Sequence, residues 1–398
     1  MDADPDGVFR ICVSDVDNFK MINSLYGDDV GDQVLTYLAD YLSRRTLDGV
    51  CGRYSGDQFI VLVRETPMHN WSWVEDMIAD IVANAPVPNL NIKLGFYNHI
   101  DTSLSITEIC DRSLLAVKSV KHNYTSSYAV YGGGISQRHM MAQLYEARFM
   151  ESIQKREFVL WYQPKMDPYR NKVVGAEALV RWKQADGTVL APGEFLPVFE
   201  KDGLISRLDE YVFEEVCAFQ RRWIEEGRTL LPVSVNLSRN SIYRKGVVDR
   251  YLDLAARYRV PVTSIPIEIT ESAAISSREI QPLANAFIQA GFELHMDDFG
   301  SGRSSLASLN VLHFRVAKID KSLVDYIGDP QGDKVLKHTM ALMDDLGLVI
   351  LAEGVENETQ RTFLMKNGCD EMQGYYYAKP LPEQDFIDWV ADAFHQKV

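Results

Sequence analysis

The sequence predicts an α/β protein of two domains, a TIM-type (β/α)8 barrel in the C-terminal two-thirds preceded by a smaller α/β domain. Three observations carry that expectation. The 398 residues exceed one ordinary domain and suffice for two with filled cores. Over roughly 250 residues, strand-like apolar runs alternate with helix-length segments, which is the size of such a barrel. A composition break at Gly132-Gly133-Gly134 separates this regular region from a shorter mixed one.

In the upstream region Val8–Val13 and Gln58–Val63 read as strands, and Gly31–Leu42 and Trp73–Val82 as helices. Three consecutive glycines followed by Ser136-Gln137-Arg138-His139 fit neither a helix nor a strand interior, so they read as a linker. The predicted organisation is a first domain over 1–131, a linker over 132–143 and a barrel over 144–398. Barrel strands are expected at Val173–Trp182, Val233–Leu237, Ile265–Thr270, Phe292–Met296, Val316–Ile319, Leu348–Ala352 and Gly374–Ala378. Leu208–Glu226 and Lys334–Leu346 are among the helices between them. A doubly wound sheet is the alternative, but it calls for a Gly-rich phosphate loop after its first strand, and no such loop is found.

Composition narrows the class. No apolar run approaches the roughly 20 residues needed to span a bilayer, and the acidic start Met1-Asp2-Ala3-Asp4-Pro5-Asp6 is unlike a signal peptide. The five cysteines are scattered, without CxxC spacing, which suits a reducing cytoplasm and gives no zinc signature. A net charge of −15 argues against binding a nucleic-acid polymer. It leaves room for a small anionic substrate, because metal ions and a few placed cations dominate a local field.

Most of the predicted strands carry an oxygen-bearing or cationic residue in them or just beyond. These are Glu177, Asn236, Glu268 with Glu271, Asp297-Asp298, Lys318 with Asp320, and Glu353 with Glu356; Gln373 opens the last strand. In a barrel, strand C-terminal ends converge on one face, so residues far apart in sequence share one pocket. Packed carboxylates repel one another unless cations lie between them. With oxygen donors and no matching Cys or His, Mg²⁺ or Mn²⁺ is favoured over Zn²⁺. Adjacent acids such as Asp297-Asp298 suit a pair of ions acting on a phosphodiester, with Lys318 steadying developing negative charge. Any one of these acids alone is an ordinary loop acid or helix cap; their repetition at six or more strand ends carries the argument.

The region from about Leu144 onward closely resembles the EAL-domain c-di-GMP phosphodiesterases. The motifs that match are Tyr162-Gln163-Pro164, Glu177-Ala178-Leu179-Val180-Arg181-Trp182, Asp297-Asp298-Phe299-Gly300-Ser301-Gly302, Lys318-Ile319-Asp320, Ala352-Glu353-Gly354-Val355-Glu356 and Gln373-Gly374-Tyr375. The resemblance implies that Glu177, Asn236, Glu268 and Asp297 hold one metal and that Asp297 and Asp298 engage a second. It gives Glu353 and Lys318 the attacking water, with Glu356 and Gln373 in support. It gives Gln163, Leu179, Arg181 and Asp320 the dinucleotide, and makes Glu271 the brace of the loop after Asp298, which couples metal binding to dimerisation. It further implies a barrel with one antiparallel strand, a homodimer and linear pGpG as product. Arg303 departs from the Tyr usual in that loop.

The upstream domain resembles a GGDEF diguanylate cyclase domain through Asp15-Val16-Asp17-Asn18-Phe19-Lys20 and Gly31-Asp32. Its signature loop, Ser55-Gly56-Asp57-Gln58-Phe59, has lost the first Gly and the Glu, and His122 stands where an Arg is expected. The resemblance therefore implies an inactive cyclase. Asp15 and Asp57 remain for a metal, and Asn23 and Asp32 for the guanine of a regulatory GTP; a purely structural or dimerising role is the equal alternative. Arg45-Thr46-Leu47-Asp48 has the form of an inhibitory product site but sits one residue out of register. The segment before the first strand is absent, so a preceding domain, even a membrane-tethering one, is compatible with the chain. For the whole protein, a non-catalytic c-di-GMP receptor is the competing expectation.

Overall fold

A computed structural model of the chain describes residues 7–46, 49–65, 71–121, 126–271, 277–300 and 312–395. Asp48, His122, Ser301, Gly302 and Arg303 lie outside the described residues. The chain divides into two compact units, Met1–Leu144 and Tyr145–Val398.

The first unit is a five-stranded sheet. Its strands are β1 (Phe9–Val16), β2 (Gly49–Ser55), β3 (Gln58–Arg64), β4 (Ile92–Tyr97) and β5 (Tyr128–Val130), in the order β2-β3-β1-β4-β5. Strand β1 runs antiparallel to β3 on one edge and β4 on the other, so its backbone is paired on both sides, and its side chains are largely buried. Helix Asp28–Arg45 places Asp28 and Asp29 in its first turn and Arg44 and Arg45 in its last, matching the helix dipole. Its Val34, Leu38 and Leu42 join Val16, Phe59, Leu94 and Phe96 in the core.

The predicted linker is a helix. Residues Gly133–Gln154 form one continuous helix, and the division between the units falls within it. Gly132 O accepts from the N–H groups of Ile135 and Ser136, so Gly133 and Gly134 occupy the first turn. The N–H groups that open a helix, here those of Gly133 and Gly134, have no preceding turn to bond, and the cost of glycine is low there. The glycines start a helix instead of interrupting the chain.

The second unit is a closed barrel of eight strands: β6 (Phe158–Asp167), β7 (Lys172–Lys183), β9 (Val233–Asn236), β10 (Ile267–Thr270), β11 (Leu294–Phe299), β12 (Val316–Ile319), β13 (Val349–Ala352) and β14 (Glu371–Met372). Short strands β8 (Val189–Leu190) and β15 (Leu381–Pro382) flank β7 and β6. From β7 to β14 all neighbours are parallel, while β6 runs antiparallel to both β7 and β14 and closes the ring. The one antiparallel strand is therefore the first. Outward side chains such as Ile267, Ile269, Ala317 and Ile319 pack under the helical layer, and inward ones are polar: Lys165, Glu177, Glu268 and Lys318.

The expected last strand Gly374–Ala378 is a turn, and the strand lies just upstream at Glu371–Met372. A Cβ on Gly374 would stand 2.2 Å from Val355 O, so the chain turns there against the preceding loop. Tyr376 N bonds Val355 O at 2.9 Å. Gln373 thus follows the last barrel strand instead of opening it, which puts it at the C-terminal rim.

A buried carboxylate fixes the loop after β9. Asp209 Oδ2, on helix Ile205–Glu225, accepts from Ser238 N at 3.0 Å and Ser241 Oγ at 2.6 Å. Burial pushes its pKa up to about 6 against those hydrogen bonds. The folded state therefore binds this proton more tightly than the unfolded chain, and the stability associated with Asp209 falls as pH rises from about 4 to about 6. At 1.36 kcal/mol per unit the loss is about 3 kcal/mol. In Asp209→Asn, which keeps an acceptor oxygen, that slope should vanish. Denaturant unfolding at pH 4 and 7 checks it: the unfolded carboxyl is already partly ionised at pH 4, so the wild-type-minus-variant difference should fall by about 2 kcal/mol between them, and a constant difference contradicts the assignment.

Candidate active site

The barrel's C-terminal rim opens on a cleft of about 350 Å³. Strand register explains its contents. Gln163 on β6 pairs across from Glu177 on β7, Glu268 on β10 is level with Asn236 on β9, and Thr270 is level with Asp297 on β11. Between β11 and β12 the pairing slips after Met296, where Asp298 adopts a left-handed φ of 57°. Asp tolerates that conformation better than most residues, and the irregularity lets two consecutive acids line one cleft.

At the centre is Lys318, 1% exposed. Its Nζ lies 2.6 Å from Glu268 Oε2, 2.7 Å from Glu353 Oε1, 2.8 Å from Asp297 Oδ1 and 3.3 Å from Glu177 Oε2. Burial alone would lower its pKa, but Asp297, Glu177, Glu268 and Glu353 raise it well above the usual lysine range. Lys165 on β6 backs this arrangement, donating to Glu268 Oε1 and Ser234 Oγ, each at 2.7 Å. Burial opposes ionisation of Glu268, yet Lys165 and Lys318 hold its carboxyl well below the usual range. Sequence reasoning missed Lys165. The signal was there in Gln163, Lys165 and Asp167, which alternate along β6 and are all buried.

The other acids are not satisfied in this way. Burial raises Glu177, and it lifts Glu353 to about 8 with help from Asp297 against Lys318. Asp298 is raised to about 6 by burial and by Asp297 and Asp320. One oxygen each from Asp297, Asp298 and Glu353 lie within 4.8 Å of one another. Five carboxylates thus face two ammonium groups, and the donor set fits divalent cations that prefer oxygen.

Neutral side chains tie the walls together. Gln373 Nε2 donates to Gln163 Oε1 at 2.9 Å and Glu177 Oε2 at 2.8 Å, while its Oε1 is buried without a hydrogen-bond partner among the described residues. Asn236 Nδ2 donates to Glu177 Oε1 at 2.9 Å. Leu179, Glu356, Lys321 and Tyr375 also line the cleft, Glu356 paired with Lys321 at 3.1 Å. Arg181 stacks over Trp161, 5.2 Å from its ring centroid. Glu271 is buried and accepts from Gly300 N at 3.2 Å, just past Asp298. Asp320 is used as a helix cap, accepting from Ser322 N, and does not line the cleft.

In the first unit Asp15 and Asp57 come together at the β2–β3 turn, but Asp15 is already engaged. Lys121 Nζ lies 2.7 Å from its Oδ1 and Gln58 Nε2 donates to its Oδ2 at 2.7 Å. Asp57 accepts from Val16 N at 3.1 Å, and burial with the Asp15 charge raises its pKa. Asn23 packs against Gly31, where any Cβ would meet Asn23 Oδ1 at 2.0 Å, and that oxygen has no hydrogen-bond partner among the described residues. Asp32 lines a separate cleft of about 410 Å³ with Arg53 and Cys51.

The EAL domain family matches residues 146–380, and the family described as diguanylate cyclase, GGDEF domain, matches residues 3–121. The chain belongs to the GGDEF–EAL proteins. This GGDEF–EAL chain is 30% identical over 95% of its length to the signaling protein YkoW of Bacillus subtilis, covering 48% of that protein. It is 28% identical over 96% of its length to the bifunctional diguanylate cyclase/cyclic di-GMP phosphodiesterase MucR of Pseudomonas aeruginosa, covering 57%. The chain therefore spans about half the length of these curated relatives. Among solved structures, the PaMucR phosphodiesterase in complex with c-di-GMP is 32% identical, with a TM-score of 0.58, over 61% of this chain and 99% of that one. Among the described residues no helix is long and apolar enough to cross a membrane.

Proposed function

We propose that the EAL barrel hydrolyses c-di-GMP to linear pGpG using two divalent cations, Mg²⁺ or Mn²⁺, as a homodimer in the cytoplasm. The observation that carries this reading is the Asp297–Asp298–Glu353 cluster beside a buried Lys318. The likeness to the c-di-GMP complex of PaMucR supports the substrate. Free cysteines support the compartment. The dimer rests on the sequence resemblance alone.

Bound to Glu177, Asn236, Glu268, Asp297 and Asp298, the ions would supply Lewis-acid activation of water and of the scissile phosphate. The chain's own groups do the rest. Glu353 accepts the proton of the attacking water as the water's oxygen bonds to phosphorus and the P–O3′ bond breaks, and O3′ leaves as a hydroxyl by taking up a proton from solvent. Lys318 neutralises charge growing on the phosphate oxygens. Gln163 and Gln373 orient the dinucleotide. Leu179, Arg181 and the exposed ring of Tyr375 offer apolar and stacking surface to guanine.

The GGDEF unit we read as a GTP-binding regulator that does not cyclise. Lys121 and Gln58 occupy both oxygens of Asp15, the position a catalytic metal would need. The test is conversion of c-di-GMP to pGpG by the purified chain with Mg²⁺ or Mn²⁺, followed chromatographically with and without GTP. Turnover that stops with EDTA is expected. Tight c-di-GMP binding without turnover under either metal would instead make the barrel a receptor, and c-di-GMP made from GTP would overturn the reading of the first unit.

A further inference from the structure

A second cleft, of about 380 Å³, lies between helices Ile205–Glu225 and Val247–Tyr258 and shares no residue with the carboxylate cleft. Its size is at the low end of small-molecule sites, which run from ~300 to 1,000 Å³. Its charge is opposite to that of the whole protein. Arg207, Arg244, Lys245 and Arg250 line it against a single lining carboxylate, Glu210, in a chain of net charge −15.

The cations are arranged, not merely near one another. Glu210 Oε1 holds Arg250 at 2.6 Å and its Oε2 reaches Arg244 at 3.3 Å, which fixes two guanidinium groups on one side. Arg207 and Lys245 carry no ion pair among the described residues. Gly246, with a φ of 77°, leads the chain into helix Val247–Tyr258 and has no side chain to cap it, so the positive end of the helix dipole is left open at the cleft. Arg207, Arg244 and Lys245 are exposed and Arg250 is half-buried, so four cations against one lining acid give the mouth of the cleft a positive potential that favours an anion. Forked guanidinium groups with an ammonium match phosphate oxygens better than they match a lone carboxylate or halide.

We infer that this cleft binds a small phosphate-bearing anion, either a free polyphosphate or the phosphate tail of a nucleotide. Ser241, which lines the cleft, also donates to Asp209, and Asp209 accepts from Ser238 N two residues beyond Asn236. The site therefore sits next to the loop that follows one of the candidate metal ligands, Asn236.

The test is calorimetric titration of the full chain in EDTA at low salt, with sodium pyrophosphate and with GTP as probes. EDTA leaves the carboxylate cleft negative, so that cleft repels both. Saturable pyrophosphate binding is expected, weakening as NaCl rises and by about tenfold or more in Arg207→Ala/Lys245→Ala. Neither residue forms an ion pair among the described residues, so the variant should melt like the parent, and Lys245→Glu provides a second loss of affinity. GTP binding much tighter than pyrophosphate, and equally sensitive to the variants, identifies a nucleotide tail; equal affinities identify free polyphosphate. Absence of saturable pyrophosphate binding, or pyrophosphate binding that the variants leave unchanged, overturns the inference; GTP binding that the variants leave unchanged belongs to the site proposed in the first unit and gives this cleft no nucleotide.

Discussion

Replacing Lys318 with methionine, which is similar in length but uncharged, should abolish turnover and destabilise the metal-free barrel by about 3–5 kcal/mol. The ammonium is within 3.3 Å of four carboxylates in a site nearly closed to solvent. Removing it leaves Glu177, Glu268, Asp297 and Glu353 with Lys165, at Glu268, as the remaining lysine in contact among the described residues. The acids can then escape only by taking up protons, so their folded pKa values rise. Raised carboxylate pKa values make the folded state lose stability as pH increases, and the deficit of Lys318→Met should therefore be larger at pH 8 than at pH 6. Divalent cations offer the second escape. At a hundred times its dissociation constant an ion returns about 2.7 kcal/mol, so Mg²⁺ or Mn²⁺ should recover much of the unfolding midpoint without recovering turnover. Urea titrations at both pH values, with and without metal, read this out. Unchanged stability in EDTA would mean that Lys318 does not hold these acids together.

The parts of this site that the sequence showed are those where a polar residue interrupts an apolar run at a strand end. Asp297-Asp298, Lys318 and Glu353 stood out for that reason, and the barrel gathers them as expected. Lys165 did not, because Pro164 and the alternating polar residues Gln163, Lys165 and Asp167 hide a strand that is buried on both faces. That strand fills the antiparallel place in the ring, and its inward side chains form the floor under Glu268. The end of the barrel was misplaced for a different reason. A two-residue strand such as Glu371–Met372 is too short for any periodicity, whereas Gly374–Ala378 is apolar enough to imitate one. What bends Gly374–Ala378 into a turn is contact between Gly374 and the Val355 backbone, a tertiary fact. The same limit applies at Gly132–Gly134, where local propensity reads as a break and the helix beyond recruits the glycines into its first turn.

Glu353→Gln should cost about 10²- to 10⁴-fold in turnover while leaving c-di-GMP binding nearly intact, since the amide keeps shape and oxygen but cannot accept a proton from water. The metal-free protein supplies a further signature. Burial places the Glu353 pKa at about 8 and that of Asp298 at about 6, so at pH 7 the first is mostly protonated and the second mostly ionised. A cation held by Asp297 and Asp298 repels the proton on the neighbouring Glu353, so metal binding at pH 7 should release about one proton, and affinity should climb about tenfold per pH unit up to about pH 8 and level off above it. In Glu353→Gln there is no such proton to release. Its metal affinity should be flat from pH 7 to 9, with only the Asp298 slope surviving near pH 6. Calorimetry in buffers of different ionisation enthalpy counts the released protons directly. Equal proton release from wild type and variant at pH 7 would remove Glu353 from the metal-facing cluster and return the role of base to another group at the rim.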